Sequence, residues 1–168
     1  PWVSRISGDD LELRQIYNLS DALRSVPGMA VIRTGQMGSQ TSLFSRGGES
    51  NHVTLLYEGR RLNGGFSGLY NLGNLSLFNS SSVEVLRGAS SSLHGANAMG
   101  GTVYMRSSLL SVDGHESQVG LAAGSFDTLN SNYNTSFKDG SLSGNFGFST
   151  FETKNDRPNS DFDNLSAS

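Results

Sequence analysis

The chain contains no cysteine, which removes disulfides and thiolate metal sites. Long hydrophobic runs are missing too. No stretch approaches the roughly 18 apolar residues that a membrane helix needs. That absence leaves membrane strands open, because a barrel strand is only about 10 residues of alternating polarity. A large charge of one sign is also lacking. Twelve Lys and Arg stand against fifteen Asp and Glu, a formal net charge of −3. No electrostatic case therefore exists for nucleic acid or an anionic lipid surface. No signal peptide is visible and the sequence opens at Pro1, which reads as a mature fragment.

What is abundant is glycine, 21 of 168 residues, close to twice the usual share of about 7%. With many Ser and Asn, this suits a chain of strands and turns rather than a helical bundle. The central stretch is Ser82–Met105, SVEVLRGASSSLHGANAMGGTVYM. Val83, Val85 and Val103 mark two short strands. Gly88, Gly95, Gly100 and Gly101 fall where the backbone must turn sharply or approach another surface. Ser90 to Leu93 is long enough for one helical turn, with Ser90 or Ser91 as its cap.

Upstream, Trp2–Ile6 reads as a strand and Asp9–Ile16 as a weak helical pattern. Asn18–Ser25 is the clearer helix. Asn18 is placed to cap it, Asp21 follows three residues on, and Pro27-Gly28 stops it. Met29–Ile32, Thr41–Ser45 and His52–Tyr57 read as strands, with glycine-rich loops at 35–40 and 63–74. After Arg106 the pattern changes. Val119, Leu121 and Ala123 alternate with Gln118 and Gly120. Leu129, Tyr133 and Phe137 alternate with Asn130, Asn132, Asn134 and Ser136. Leu142, Phe146 and Phe148 alternate with Ser143, Asn145 and Ser149. Asp139-Gly140 is a hairpin signal. Such alternation fits a sheet with one wet face on a core, or barrel strands with the apolar side to lipid. Taken alone it favours the first.

Catalytic motifs fail on inspection. Gly95 to Thr102 nearly fits a phosphate loop, but Gly101 stands where the lysine must be. Gly65-Phe66-Ser67-Gly68-Leu69 is not a nucleophile elbow. His52, His94 and His115 are too scattered for zinc. Ser90–Ser92 beside His94 would be the only start for a serine hydrolase, a distant reading. Arg46 and Arg87 each precede a glycine at a strand end. Read plainly, they are surface arginines with carboxylate partners such as Glu84 or Glu49.

The motif Glu84-x-Leu86-Arg87-Gly88, the serine-rich turn, Gly95 and Gly100-Gly101 together resemble the signature that closes the plug domain of TonB-dependent outer-membrane receptors. Ala89 and His94 stand where that family usually has proline and tyrosine. SDALRSVPGMAV and Arg46-Gly47 through Asn63 resemble the same family, with Glu58 in place of the usual aspartate. The order of residues 35–72 is most like the cobalamin-transporting members. The resemblance implies an α+β fold. Residues 1–106 would form a plug, a small mixed sheet with short helices. Residues 107–114 would be a linker. Residues 115–168 would be the first antiparallel strands, about three, of a barrel that closes with about 22. Residues 115–155, without the rest of that barrel, are expected to be disordered, to self-associate through open edges, or to pack in a non-barrel way.

By the same resemblance, Gln36, Met37, Gly38 and Ser39, with Asn63, Phe66, Ser67 and Tyr70, would touch a small-molecule nutrient, cobalamin or a ferric siderophore. As residues alone, both loops could equally be plain turns. Arg46 and Arg87, with Glu84, would lock the plug to acidic residues on the barrel wall. Asp156, Asp161 and Asp163 resemble loop aspartates that hold calcium in the cobalamin subfamily, and carboxylates suit that ion. A solvated acidic loop is the plainer reading. No other cofactor is implied. The partners would be TonB, the nutrient and the rest of the barrel, at the outer membrane, with no bond made or broken. The segment that engages TonB would precede Pro1. The competing reading from another class is a soluble β-rich binding or adhesion module.

Overall fold

A computed structural model describes residues 2–64, 67–88, 95, 98–107 and 109–168, residue 2 by its backbone only. The turn expected at Ser90–Leu93, His94 and Phe66 lie outside the described residues. The chain divides into two compact units, one of Pro1–Thr34 with Ser39–Ser107 and the other of Gly35–Gly38 with Ser108–Ser168.

The first unit is built on a five-stranded sheet in the order β1-β6-β7-β4-β5. Its strands are β1 Trp2–Ser7, β4 Val53–Tyr57, β5 Arg60–Arg61, β6 Ser80–Arg87 and β7 Gly101–Ser107. β6 runs antiparallel to β1 and β7, whereas β4 is parallel to β7. The sheet is mixed because a parallel neighbour needs a long crossover, and residues 58–100 supply one. Register puts Val85 and Leu55 on either side of Val103, and Val83 and Tyr57 on either side of Met105. These alternate positions share one face, and Val83, Val85 and Val103 are fully buried.

Two short helices join this core. α1 spans Gly8–Leu13 and α2 spans Leu19–Arg24. Leu11, Leu19, Ala22 and Leu23 are their buried residues in the core cluster. A hairpin of β2 Met29–Arg33 and β3 Thr41–Ser45 adds Met29 and Leu43. The helix starts differ from expectation. Asn18 makes no side-chain cap; its backbone bridges to Ser76 instead. The side-chain cap belongs to α1, where Ser7 Oγ accepts from Asp10 N at 3.2 Å. α1 ends early because Gln15 turns to φ 53, and Leu13 is left in solvent.

The second unit is a four-stranded antiparallel meander: β8 Gly114–Gly124, β9 Thr128–Asp139, β10 Leu142–Thr153 and β11 Phe162–Ala167. One more strand forms than the sequence suggested. β11 was hidden because Asp161-Phe162-Asp163-Asn164 reads as an acidic loop. The strands are formed and paired in sequence order, which sets aside disorder among the three alternatives expected for residues 115–155; self-association concerns a second copy. β9 and β10 are joined by the two-residue turn Gly140-Ser141, with Gly140 at φ 56. The longer connection, 154–161, lies between β10 and β11.

Candidate functional site

The second unit's two faces carry its chemistry. Register aligns Val119, Tyr133, Phe148 and Ala167 across all four strands. Val119 is 70% exposed and Leu121 77%, and Leu129, Phe137, Phe146 and Leu165 lie open on the same face. The opposite face is polar and inward: Asn130, Ser136 and Ser149 are buried, at 6%, 5% and 7% exposure. Asn145 Nδ2 donates across that face to Asn134 Oδ1 at 3.0 Å and Ser136 Oγ at 2.6 Å. Polar-in, apolar-out is the reverse of a water-exposed sheet on a core. It is what a strand between lipid and a polar interior requires. Packing on the outer face is tight. A side chain at Gly144 would collide with the Phe137 ring opposite.

The expected ligand residues divide. Gln36, Met37 and Gly38 are half-buried members of the second unit. The Gln36 amide donates to the Asp156 carboxylate, and its carbonyl accepts from Asp156 N at 3.4 Å. Asn155 Nδ2 donates to the Met37 carbonyl at 3.4 Å. Ser39, Ser67 and Tyr70 belong to the first unit. Ser67 is exposed, whereas Tyr70 leans on the core. Asn63 is a correction. It is 1% exposed. Its Oδ1 accepts from Leu55 N at 2.9 Å, and its Nδ2 donates to Val53 O and Gly68 O at 2.7 and 3.2 Å. Those three bonds hold β4 to the following loop and use both amide N–H groups, and burial keeps the side chain from a ligand. Asn71 was missed. Its Oδ1 accepts from Thr41 N and Gly73 N, stapling that loop to β3.

Arg46 and Gly88 line one open cleft of about 250 Å³ with Ser45, Gly48, His52, Met99 and Gly100. One residue of each Arg-Gly pair thus lines the same cleft. Arg87 donates to the Pro27 carbonyl at 3.1 Å. Its Nε is buried without a hydrogen-bond partner among the described residues. Arg46 stands at φ 50. Glu84 does not pair with either of them. It lies 3.7 Å from both Arg5 and Arg106, on the neighbouring strands of the sheet. Its place in the locking set is corrected accordingly.

Asp156 is engaged with Gln36, Asp161 precedes β11, and Asp163 pairs with Glu152 in the sheet. Among the described residues, no group of three or more His, Asp or Glu gathers to hold a metal. The shortest ion pair among the described residues is exposed: Lys154 Nζ lies 2.8 Å from Asp127 Oδ2. That hydrogen bond, then the attraction between the charges, holds Asp127 below its ordinary 3.8 and raises Lys154 above 10.5.

A mixed-sheet unit with short helices, followed by a meander whose apolar side faces outward, defines a plug joined to the opening strands of a membrane barrel. The comparisons make this specific. The chain belongs to the TonB-dependent Receptor Plug Domain family, whose model matches residues 2–102. It is 29% identical over 104 residues to the vitamin B12 transporter BtuB of Vibrio vulnificus, which covers 62% of this chain and 17% of the transporter. The siderophore receptor PiuA of Acinetobacter baumannii is similar at a TM-score of 0.71 and 26% identity, over 90% of this chain and 21% of that one. The ferripyoverdine receptor of the Pseudomonas aeruginosa outer membrane gives 0.75 and 22%, over 90% and 20%. The chain therefore spans about a fifth of these relatives or less.

Proposed function

We infer that this chain forms the plug and first barrel strands of an outer-membrane receptor. That receptor would import a scarce nutrient, vitamin B12 or a ferric siderophore, by TonB-driven movement of the plug. The observation that carries the reading is the inverted sheet, with exposed Val119, Leu121 and Phe146 and buried Asn130 and Ser149. An exposed apolar band of this kind marks a membrane or partner surface, and its alternation with a polar inner face fits the membrane. In this reading Gln36, Met37, Gly38, Ser39, Ser67 and Tyr70 meet the nutrient. They supply amide and hydroxyl groups, a pliable thioether and an aromatic ring, enough to orient a bulky ligand. Arg46, at the cleft, and Arg87 donate to carboxylates of the barrel wall. The work is binding and gating, without catalysis.

The test is uptake of labelled vitamin B12 and of ferripyoverdine by cells whose only receptor for each probe carries this chain. Accumulation of either, abolished when TonB is deleted, is expected. Uptake of neither, with the protein recovered from the soluble fraction, would contradict the reading and favour a soluble binding module.

A further inference from the structure

Residues 35–38 leave the β2–β3 hairpin and pack within the second unit. The surface that receives them is ordered by its own bonds. Asn155, at φ 56, donates to Ser160 O at 2.5 Å, and Ser160 Oγ donates to Arg157 O at 2.5 Å. Lys154 N donates to Phe126 O at 2.9 Å. Phe162 leans on Phe151 with ring centroids 6.2 Å apart. On this platform Asp156 pairs with the Gln36 amide at both ends, Asn155 takes the Met37 carbonyl, and the Phe162 ring fills the space a Gly38 side chain would need. Gly38 also sits at φ +87, so only glycine fits there without strain.

We propose that Asn155, Asp156 and Phe162 are positioning residues that hold Gln36–Gly38 in the shape that receives the nutrient, an inference that rests on the receptor reading above. Binding a flexible loop costs the entropy of ordering it, and a loop held beforehand avoids that cost. The hold leaves ligand groups available. The Gln36 amide keeps one N–H, because only one meets the single acceptor Asp156 Oδ1, and the Met37 thioether is not used in the hold. The contribution is to affinity, not to the transport step.

The test combines amide exchange with binding in the membrane-embedded receptor. Asp156→Ala, on an exposed loop, is expected to speed exchange at residues 35–40 and to weaken binding of vitamin B12 or ferripyoverdine about tenfold, the scale of one lost charged hydrogen bond. The maximal uptake rate is expected to stay unchanged. Asp156→Asn keeps a neutral acceptor and is expected to restore most, but not all, of both readouts. Gly38→Val, which meets the Phe162 ring, is expected to release the segment while exchange across β9 and β10 stays slow. Unchanged exchange at 35–40 in Asp156→Ala overturns the proposal whatever the binding result. Faster exchange with undiminished affinity overturns it as well. Failure of the unaltered receptor to bind either probe counts instead against the import reading.

Discussion

The two units obey opposite rules with the same alphabet. In the first, Val83, Val85 and Val103 are fully buried and charged residues such as Arg5 and Arg106 look outward. In the second, Val119 and Leu121 look outward and Asn130, Ser136 and Ser149 are the buried ones. Strand periodicity is identical in both, since side chains alternate in any strand. On the receptor reading, what differs is the solvent each outer face meets. An apolar residue is inside when water surrounds the fold, and outside when hydrocarbon does.

The contrast can be broken by placing one substitution in each unit. Val103→Arg puts an unpaired cation into the first unit's core. It is expected to unfold that unit outright, at a cost above about 4 kcal/mol, visible as loss of protected amides in β6 and β7. Val119→Arg is expected to do nothing to folding in water. In a bilayer it should cost about 2–4 kcal/mol if the residue sits near the midplane, read as reduced insertion. Equal effects at both sites would erase the distinction.

Buried amides sharpen it. Asn63→Ala strands the Leu55 N–H and the Val53 carbonyl in the first unit's interior. Each orphaned group costs about 1–3 kcal/mol, so a loss of roughly 3 kcal/mol is expected in denaturant unfolding. A neutral result would mean those bonds are not made. The smallest effect concerns the exposed Asp127–Lys154 pair. The lowered Asp127 value means its contribution is present above the ordinary 3.8 and is lost as pH falls through the folded value. The raised Lys154 value means its contribution is complete below 10.5 and is lost as pH rises through the folded value. Stability is expected to be flat between those limits, with a slight decline beyond each that added salt removes. Asp127→Asn should abolish the acid-side decline, and an unaltered profile in that variant would dismiss the pair.

Much of this was legible in the residues. Thr41–Ser45 is the predicted strand to the residue, because alternation and flanking turns bound it on both sides. Arg46 and Gly88 line one cleft, a proximity that their separate strand-end positions did not show. Tertiary facts were not legible. Asn63 followed by Gly64 has the look of a turn on the surface, and nothing local says that its amide is consumed at Val53, Leu55 and Gly68. Glu84 took Arg5 and Arg106 as neighbours because strand order, not sequence distance, sets cross-strand pairs. Phe162 passed for part of a loop because three acidic or amide residues surround it. The hold on Gln36 by a residue 120 positions away could not be read from either segment alone.

The most direct test asks which face of β9 meets lipid. The chain has no cysteine, so single cysteines can be introduced from residue 129 to 137 and spin-labelled in proteoliposomes. Labels at 129, 131, 133, 135 and 137 are expected to collide with oxygen, which partitions into hydrocarbon. Labels at 130, 132, 134 and 136 are expected to be shielded from oxygen. The opposite phase, or uniform access to a water-soluble nickel reagent along the strand, would contradict a membrane-facing sheet.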